Sequence, residues 1–281
     1  MVGTAHTQIM GVVNVTPDSF SDGGRWLDTD VAVARGQELA AQGAQIVDVG
    51  GESTRPGSTR PPEQEEAERV QPVVSALAQQ GYAVSVDTMR AGVAEAALRA
   101  GAVLVNDVSG GLGDPRMGPM IAETGARYVV MHWRGLLTDA SARHHYDDVV
   151  REVCDELSAR VEALVGQGVR EDQLVLDPGF GFSKDAGHNW TLLAGLDRVV
   201  ALGLPVLVGT SRKRFLGRLP TRPGEATPED GEPSPPDQRD AATAATSLLA
   251  AQAGAWAVRV HEVPPTRDAL AVWQLTQEAT R

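Results

Sequence analysis

The feature that most constrains this 281-residue chain is an alternation. Short runs of Val, Ile and Leu recur eight times, and a longer helical pattern follows each one. The runs lie near 8–15, 44–50, 83–87, 103–107, 127–132, 174–178, 205–210 and 256–261. The helical patterns lie near 30–43, 64–80, 90–100, 115–124, 147–167, 189–202, 240–254 and 266–279. Several of these patterns end in glycine, at Gly43, Gly81, Gly101 and Gly168, where a left-handed cap ends a helix cheaply. Strands joined through helices pair in parallel, which leaves a closed barrel or an open doubly wound sheet. The strand ends separate the two. Nearly every run closes on a polar residue: Asn14, Asp48, Asp87, Asn106, His132, Asp177, Ser211 and His261. In a barrel all these ends meet on one face, whereas an open sheet strings them along an edge. The expectation is a (β/α)8 TIM barrel in which residues 1–281 form one domain.

Composition narrows the function classes. Only 4% of residues are aromatic, so the core must be aliphatic. A formal net charge of −12 argues against non-specific nucleic-acid binding and against an anionic membrane surface. It leaves room for a local basic pocket. The one cysteine, Cys154, sits at an apolar helix position in VVREVCDEL and reads as packing. Residues 1–10 lack the pattern of a signal peptide, and no apolar run reaches the roughly 18 residues of a membrane span. The expected setting is the cytoplasm. One segment breaks the short-loop pattern: 217–238, GRLPTRPGEATPEDGEPSPPDQ, is rich in Pro and Glu and reads as a mobile surface excursion.

Chemistry is concentrated after the strands. NVTPDSFSDGG (14–24) follows strand one, and its Phe20 has little to pack on unless the loop folds over something. GGESTRPGSTRPP (50–62) follows strand two and offers Arg55 and Arg60 to an anion, or simply to water. Asp87 in SVDT, like Asn106 and Asp107 in VNDVSGG, reads either as a site residue or as the cap of the next helix. Asp177 in LVLDPGFGF precedes a sharp turn and has Phe182 nearby. A carboxylate and an amide at a barrel mouth can read a ring edge with several N–H groups, with Met131, Phe182 and Val108 as an apolar floor. Strand seven runs into GTSRKRFLG with Arg212, Lys213 and Arg214. Strand eight carries Arg259 and His261 two positions apart. Loops after strands seven and eight commonly hold phosphate in such barrels, and Asn14 on the neighbouring strand would join them. An ion pair with Glu262 or a helix carboxylate is the plainer reading of Arg259. His144 and His145 read as surface residues, and no Cys/His spacing supports a structural zinc.

Together the segments MGVVNVTPDSFSDGG, IVDVGGESTRPG, VSVDT, VNDVSGG, DPGFGF, GTSRKRF and RVHE resemble, in order, the marks of the dihydropteroate synthase family. With MHWR the chain is most similar to its actinobacterial forms. The resemblance covers almost the whole chain. It implies condensation of 6-hydroxymethyl-7,8-dihydropterin pyrophosphate with 4-aminobenzoate, giving 7,8-dihydropteroate and pyrophosphate. It implies that Asp87, Asn106, Asp177 and Lys213 hold the pterin over Met131 and Phe182, with Asp87, Asp177 and Lys213 as the catalytic set. Asn14, Arg259 and His261 would hold pyrophosphate, with Mg2+ near Asn14. Phe20, Thr54, Arg55 and Pro56, with Lys213 and Arg214, would form the 4-aminobenzoate site where sulfonamides compete. A homodimer is implied as well. Arg214 departs from the pattern, since many members carry Ser there to bind the 4-aminobenzoate carboxylate; a backbone N–H at a helix start could replace it. Two other readings share the barrel: a pterin-dependent methyltransferase, which needs no anion site from GTSRKRF and RVHE, and a non-catalytic paralogue, which would be expected to lose loop residues.

Phe20 yields a sharp test. If its loop closes on a bound aromatic ring, Phe20→Leu should forfeit about 0.5–1.5 kcal/mol of stacking, felt by 4-aminobenzoate and by sulfonamides. Melting temperature and the KM for the pterin ester should stay near wild type. Inhibitors longer than 4-aminobenzoate should lose more than the substrate does. A lowered Tm with unchanged KM for 4-aminobenzoate would instead place the ring in structural packing.

Overall fold

The computed structural model describes residues 6–15, 25–52, 60–135, 145–220, 222, 225 and 232–279. Eight strands are present: β1 (Gln8–Asn14), β2 (Ile46–Gly50), β3 (Ala83–Asp87), β4 (Leu104–Asp107), β5 (Arg127–Met131), β6 (Leu174–Asp177), β7 (Leu207–Val208) and β8 (Ala257–Val260). They form one sheet in the order β6-β5-β4-β3-β2-β1-β8-β7, all parallel. The two ends of that order meet through a single parallel bridge, Leu176 with Val206, and the Leu176 N–H donates to the Pro205 carbonyl at 2.8 Å. The sheet therefore closes into the expected barrel.

Helices stand between the strands: α1 (Arg25–Gln42), α2 (Glu63–Gln79), α3 (Ala91–Arg99), α4 (Met117–Thr124), α5 (Val149–Val165), α6 (Ala186–Ala194), α7 (Leu196–Val200), α8 (Asp240–Gln252) and α9 (Val263–Glu278). Several boundaries differ from the sequence reading, α1 among them, which starts at Arg25 rather than 30; three of the others have a clear local reason. The helix expected over 189–202 starts at Ala186, because the Asp185 carboxylate accepts the His188 N–H at 2.7 Å and caps it. It then breaks at Gly195, where a Cβ would stand 2.9 Å from Val150 of α5. The last helix starts at Val263 rather than 266, since Pro264 and Pro265 fit a first turn that needs no N–H donors. Strand seven shrinks to Leu207–Val208, because Pro205 has no N–H to give the ladder and enters only as an acceptor.

The period-2 alternation of strand side chains sorts the core into two layers. Met10, Ile46, Leu104, Val129, Val175, Leu207 and Ala257, one from every strand but β3, form a cluster that fills the barrel interior, and the partly buried Ala83 of β3 packs against it. Their sequence neighbours, such as Ile9, Val47, Val105, Tyr128 and Leu176, point outward into a larger shell shared with the helices. Cys154 belongs to that shell and is buried, and burial pushes its thiol up. Among the described residues no helix is long and apolar enough to cross a membrane. The ends of the 217–238 excursion are tied down: the Ser234 N–H donates to the Gly217 carbonyl at 2.9 Å, and the Arg239 guanidinium holds the Ser234 carbonyl. Most of its centre lies outside the described residues.

On β4 the same alternation sends Asn106 inward and Asp107 outward. Asp107 is fully buried. It accepts from the Ser109 N–H at 2.7 Å, the Ser109 hydroxyl at 2.6 Å, the Gly111 N–H at 2.9 Å and the Tyr128 hydroxyl at 2.6 Å. It is a staple for the loop after β4. Burial raises its pKa, and these donors oppose the rise. Tyr128→Phe removes one charge-assisted donor and should lower unfolding stability by about 1–3 kcal/mol, measurable as a shift of the urea midpoint. A midpoint equal to wild type would show that the staple holds without it.

Candidate active site

The inward residues at the C-terminal ends of the strands are polar where the layer below is apolar. Strand register sets Asp87 beside Asn106 and Met131 beside Asp177. Across the mouth from β8 reaches Arg259. Its Nε donates to Asp48 Oδ2 at 2.6 Å, and one Nη donates to Asp87 Oδ2 at 2.6 Å. Asp48 Oδ2 also accepts from Asn106 Nδ2 at 3.0 Å, which fixes the rotation of that amide. Asp48 is sealed at 0% exposure, whereas the Asp87 side chain keeps 13%. Burial disfavours the charge on Arg259, but Asp48 and Asp87 outweigh it and raise its pKa. One guanidinium cannot fully compensate two carboxylates. Burial pushes Asp87 up to about 7, with Arg259 pulling it down and Asp48 adding to the rise. Asp87 is thus no helix cap: the cap position of α3 is Arg90, and no side chain caps it.

Asp177 stands opposite. Its Oδ1 accepts the Gly179 N–H at 2.7 Å. Gly179 has φ +70°, and a Cβ there would lie 2.5 Å from the His132 carbonyl, so the turn requires glycine. Burial raises the Asp177 pKa, opposed by that N–H and by Lys213. Burial lowers Lys213 to about 8, with Asp177 opposing. The Lys213 ammonium sits 3.9 Å over the Phe182 ring, a cation–π contact that joins the two loops. Beneath lies Lys184, whose Nζ meets His132 Nδ1 at 3.0 Å, the Gly179 carbonyl at 3.1 Å and the Phe182 carbonyl at 3.3 Å. Three acceptors match the three donors of an ammonium, and burial lowers its pKa to about 7. His132 then passes the contact on from Nε2 to Glu156 at 3.0 Å.

The third corner lies where β8 and β7 end. The Ser211 hydroxyl accepts the His261 N–H at 3.1 Å and lies 2.9 Å from His261 Nδ1. Either the hydroxyl or the ring can supply the proton of that second contact, because the hydroxyl has two lone pairs and one hydrogen. Arg212 has φ +58°, rare outside glycine, and is held there by a two-point pair with Asp240 at 2.8 Å and by Arg239 donating to its carbonyl at 2.8 Å. A cavity of about 550 Å³ borders this corner, lined by Asn14, Arg35, Arg212, His261 and Glu262 among others.

The structure therefore brings Asn106, Asp87, Asp177, Lys213, Met131, Phe182 and Arg259 to one mouth, with Asn14 and His261 at its edge. Arg259 pairs with Asp48 and Asp87, not with Glu262 or a helix carboxylate. Of the three cations after β7, only Lys213 faces the carboxylates: Arg212 is tied to Asp240 and Arg214 is exposed. The segment after Lys213 is a short 3-10 helix, Arg214–Gly217, with Lys213 at its N-cap and no side chain capping it. Arg60 pairs with Glu52 at 2.5 Å. Phe20, Thr54, Arg55, Pro56 and His144 lie outside the described residues. The sequence reading gave no role to Asp48, Lys184, His132 or Ser211. Asp48 had a signal: a charge inside the apolar strand IVDVG needs a partner as much as Arg259 does. Lys184 had none, since its acceptors are mostly backbone carbonyls.

A family model described as pterin binding enzyme matches residues 10–261. The dihydropteroate synthase of Mycobacterium leprae is 53% identical over 269 residues, 95% of this chain and 93% of that protein. Among solved structures, the Xanthomonas albilineans dihydropteroate synthase with 4-aminobenzoic acid has a TM-score of 0.85 at 46% identity, covering 97% of this chain and 93% of its own. The Yersinia pestis dihydropteroate synthase in a sulfonamide drug complex has a TM-score of 0.86 at 39% identity, covering 99% and 96%.

Two histidines offer a test of this electrostatic picture. Burial pulls His132 down to about 4 and His261 to about 3, from an ordinary 6.5. In the unfolded chain both would take a proton below 6.5. Their contribution to stability is therefore neutral above that pH and increasingly unfavourable as pH falls through it. Nitrogen-15 NMR of the imidazoles should show both rings neutral at about pH 5.5 in the folded protein. A ring that titrates with a midpoint near 6.5 would contradict the buried placement.

Proposed function

The chain belongs to the pterin binding enzyme family, and we infer that it carries out the dihydropteroate synthase reaction. It condenses 6-hydroxymethyl-7,8-dihydropterin pyrophosphate with 4-aminobenzoate to give 7,8-dihydropteroate and pyrophosphate. The observation that carries this reading is the pairing of a polar mouth with an anion corner. Asp87, Asn106 and Asp177 converge where a flat heterocycle's N–H groups would sit, over Met131 and Phe182, with Lys213 between the carboxylate and the ring. Asp177 suits a charge-assisted contact to an aminopyrimidinone edge, and its fixed Oδ1 leaves Oδ2 to do so. Arg259, His261 and Asn14 stand beside them to receive the pyrophosphate. In the reaction the C–O bond to pyrophosphate breaks, the aniline nitrogen bonds to the same carbon, and that nitrogen loses a proton. Asp87 stabilises the positive charge that develops on the pterin; fixed cations stabilise the leaving anion. Orienting the weak aniline nucleophile is the remaining task, and no covalent enzyme intermediate is needed.

A Mg2+ ion fits this corner in a particular way. Among the described residues no group of three or more His, Cys, Asp or Glu could hold a metal by itself. Asn14 offers one hard oxygen beside the cavity, and Mg2+ often takes few protein ligands and completes its shell from phosphate and water. Bound there, it would supply charge neutralisation of the leaving group. The 4-aminobenzoate site is assigned to Phe20, Thr54, Arg55 and Pro56 with Lys213 and Arg214, and sulfonamides would compete for it. At the short 3-10 helix after Lys213, the 4-aminobenzoate carboxylate would meet the uncapped N–H groups or Arg214 itself. A homodimer is proposed through the α8–α9 face, where Leu249, Val272 and Leu275 are exposed. The lone cysteine, which permits no disulfide within the chain, supports a cytoplasmic setting.

A pyrophosphate-release assay with both substrates tests the reaction, and turnover that needs 4-aminobenzoate is expected. Asp177→Asn should weaken pterin binding by about 2–4 kcal/mol, because an amide N–H would face ring N–H donors. Unchanged pterin affinity by calorimetry would remove Asp177 from the pocket.

A further inference from the structure

Arg259 is held at two points that are unlike. Its Nε is bonded to Asp48, sealed from solvent, and its Nη to Asp87, which is mostly buried but keeps 13% of its side chain exposed. Asp48 uses a single oxygen, Oδ2, for both Arg259 and Asn106, and its Oδ1 is buried with no hydrogen-bond partner. Arg259 is the one cation paired with it among the described residues, and a buried carboxylate so poorly supplied cannot release that cation without stranding its charge. Asp87 can release the same cation, because a ligand can take its place. Resting on the functional reading above, we propose that Asp48 is a positioning residue that holds Nε of Arg259 as a pivot, about which the guanidinium exchanges Asp87 for the pyrophosphate group. The exchange has two effects at once. The anion gains a directed guanidinium, and the freed Asp87 oxygen becomes available to the pterin. Asn106, tied to the same Oδ2, keeps its amide rotation while this happens. Asp48 thereby couples the two halves of one substrate.

Calorimetry with separate halves tests the pivot: 6-methylpterin as one probe, inorganic pyrophosphate with Mg2+ as the other. In the wild type, saturating pyrophosphate should tighten 6-methylpterin by about fivefold or more. In Asp48→Asn the carboxylate is gone and the coupling should fall below about twofold, even if each ligand still binds alone. A residue that merely supports the fold would weaken both ligands and leave their coupling as it was. Asp87→Asn gives a second test that does not depend on the Asp48 variant folding. Releasing Arg259 from Asp87 should tighten pyrophosphate by about threefold or more, since more of the protein holds the guanidinium free. Asp177→Asn removes an equal charge that does not bond Arg259, and should change pyrophosphate affinity by less than about twofold. Absent coupling in an enzyme that still releases pyrophosphate overturns the pivot alone, and so does full coupling in Asp48→Asn. Equal effects of Asp87→Asn and Asp177→Asn would reduce the contact to general electrostatics and overturn it too. A wild type that releases no pyrophosphate from the two substrates overturns the functional reading itself.

Discussion

The site depends on one guanidinium shared by two carboxylates. Arg259 begins on β8, passes over β1, and bonds to Asp48 on β2 and Asp87 on β3. It thus spans the barrel mouth as a strut. Removing one partner of such a buried pair costs about 3–5 kcal/mol, because the other is left charged and dry. Much else follows from this shortage of positive charge. Burial, with Asp48 close by, raises the Asp87 pKa toward neutrality against the pull of Arg259; Asp48 also sets the amide rotation of Asn106, and Lys213 is left to oppose the burial of Asp177 on the far side.

The division between chemistry and support is written in the two-residue period of the strands. Inward side chains are apolar in the middle of the barrel and ionisable at its mouth. Outward side chains at the same level do structural work instead. Asp107 follows Asn106 by one residue, yet it faces the other way and pins its loop through four donors. Lys184 does the analogous work after β6, holding two carbonyls of the turn that carries Gly179 and Phe182. The loops after β4 and β6 are therefore tied down beside the mouth, and the Gly179 N–H fixes the orientation of the Asp177 carboxylate.

The barrel was legible in the sequence because its signal is periodic and repeated eight times. A polar residue at nearly every strand end allowed the active face to be chosen as well. The strand-end residues Asp87, Asn106 and Asp177 could be named because a charge or amide that closes an apolar run must find a partner or a ligand. Partners were harder. Sequence proximity offers Arg259 the neighbouring Glu262 or a helix carboxylate, but its partners lie more than 170 positions away, since closure of the barrel makes β8 a neighbour of β1. Arg212 and Arg214 looked equivalent to Lys213 in SRKR, but the backbone turn at φ +58° sends Arg212 to Asp240. The broken helix at Gly195 reflects the close approach of α5, a long-range contact that local propensity does not encode.

The closure between β6 and β7 has its own consequence. Every other seam of the barrel is a ladder, and this one is a single bridge at Leu176 and Val206. Asp177 sits just beyond it on one side, and Lys213 follows on the other. A pterin gripped by both would act as a clasp across the thinnest join of the cylinder. Binding there would add to the stability of the barrel at its thinnest seam, in proportion to the ligand's affinity and concentration.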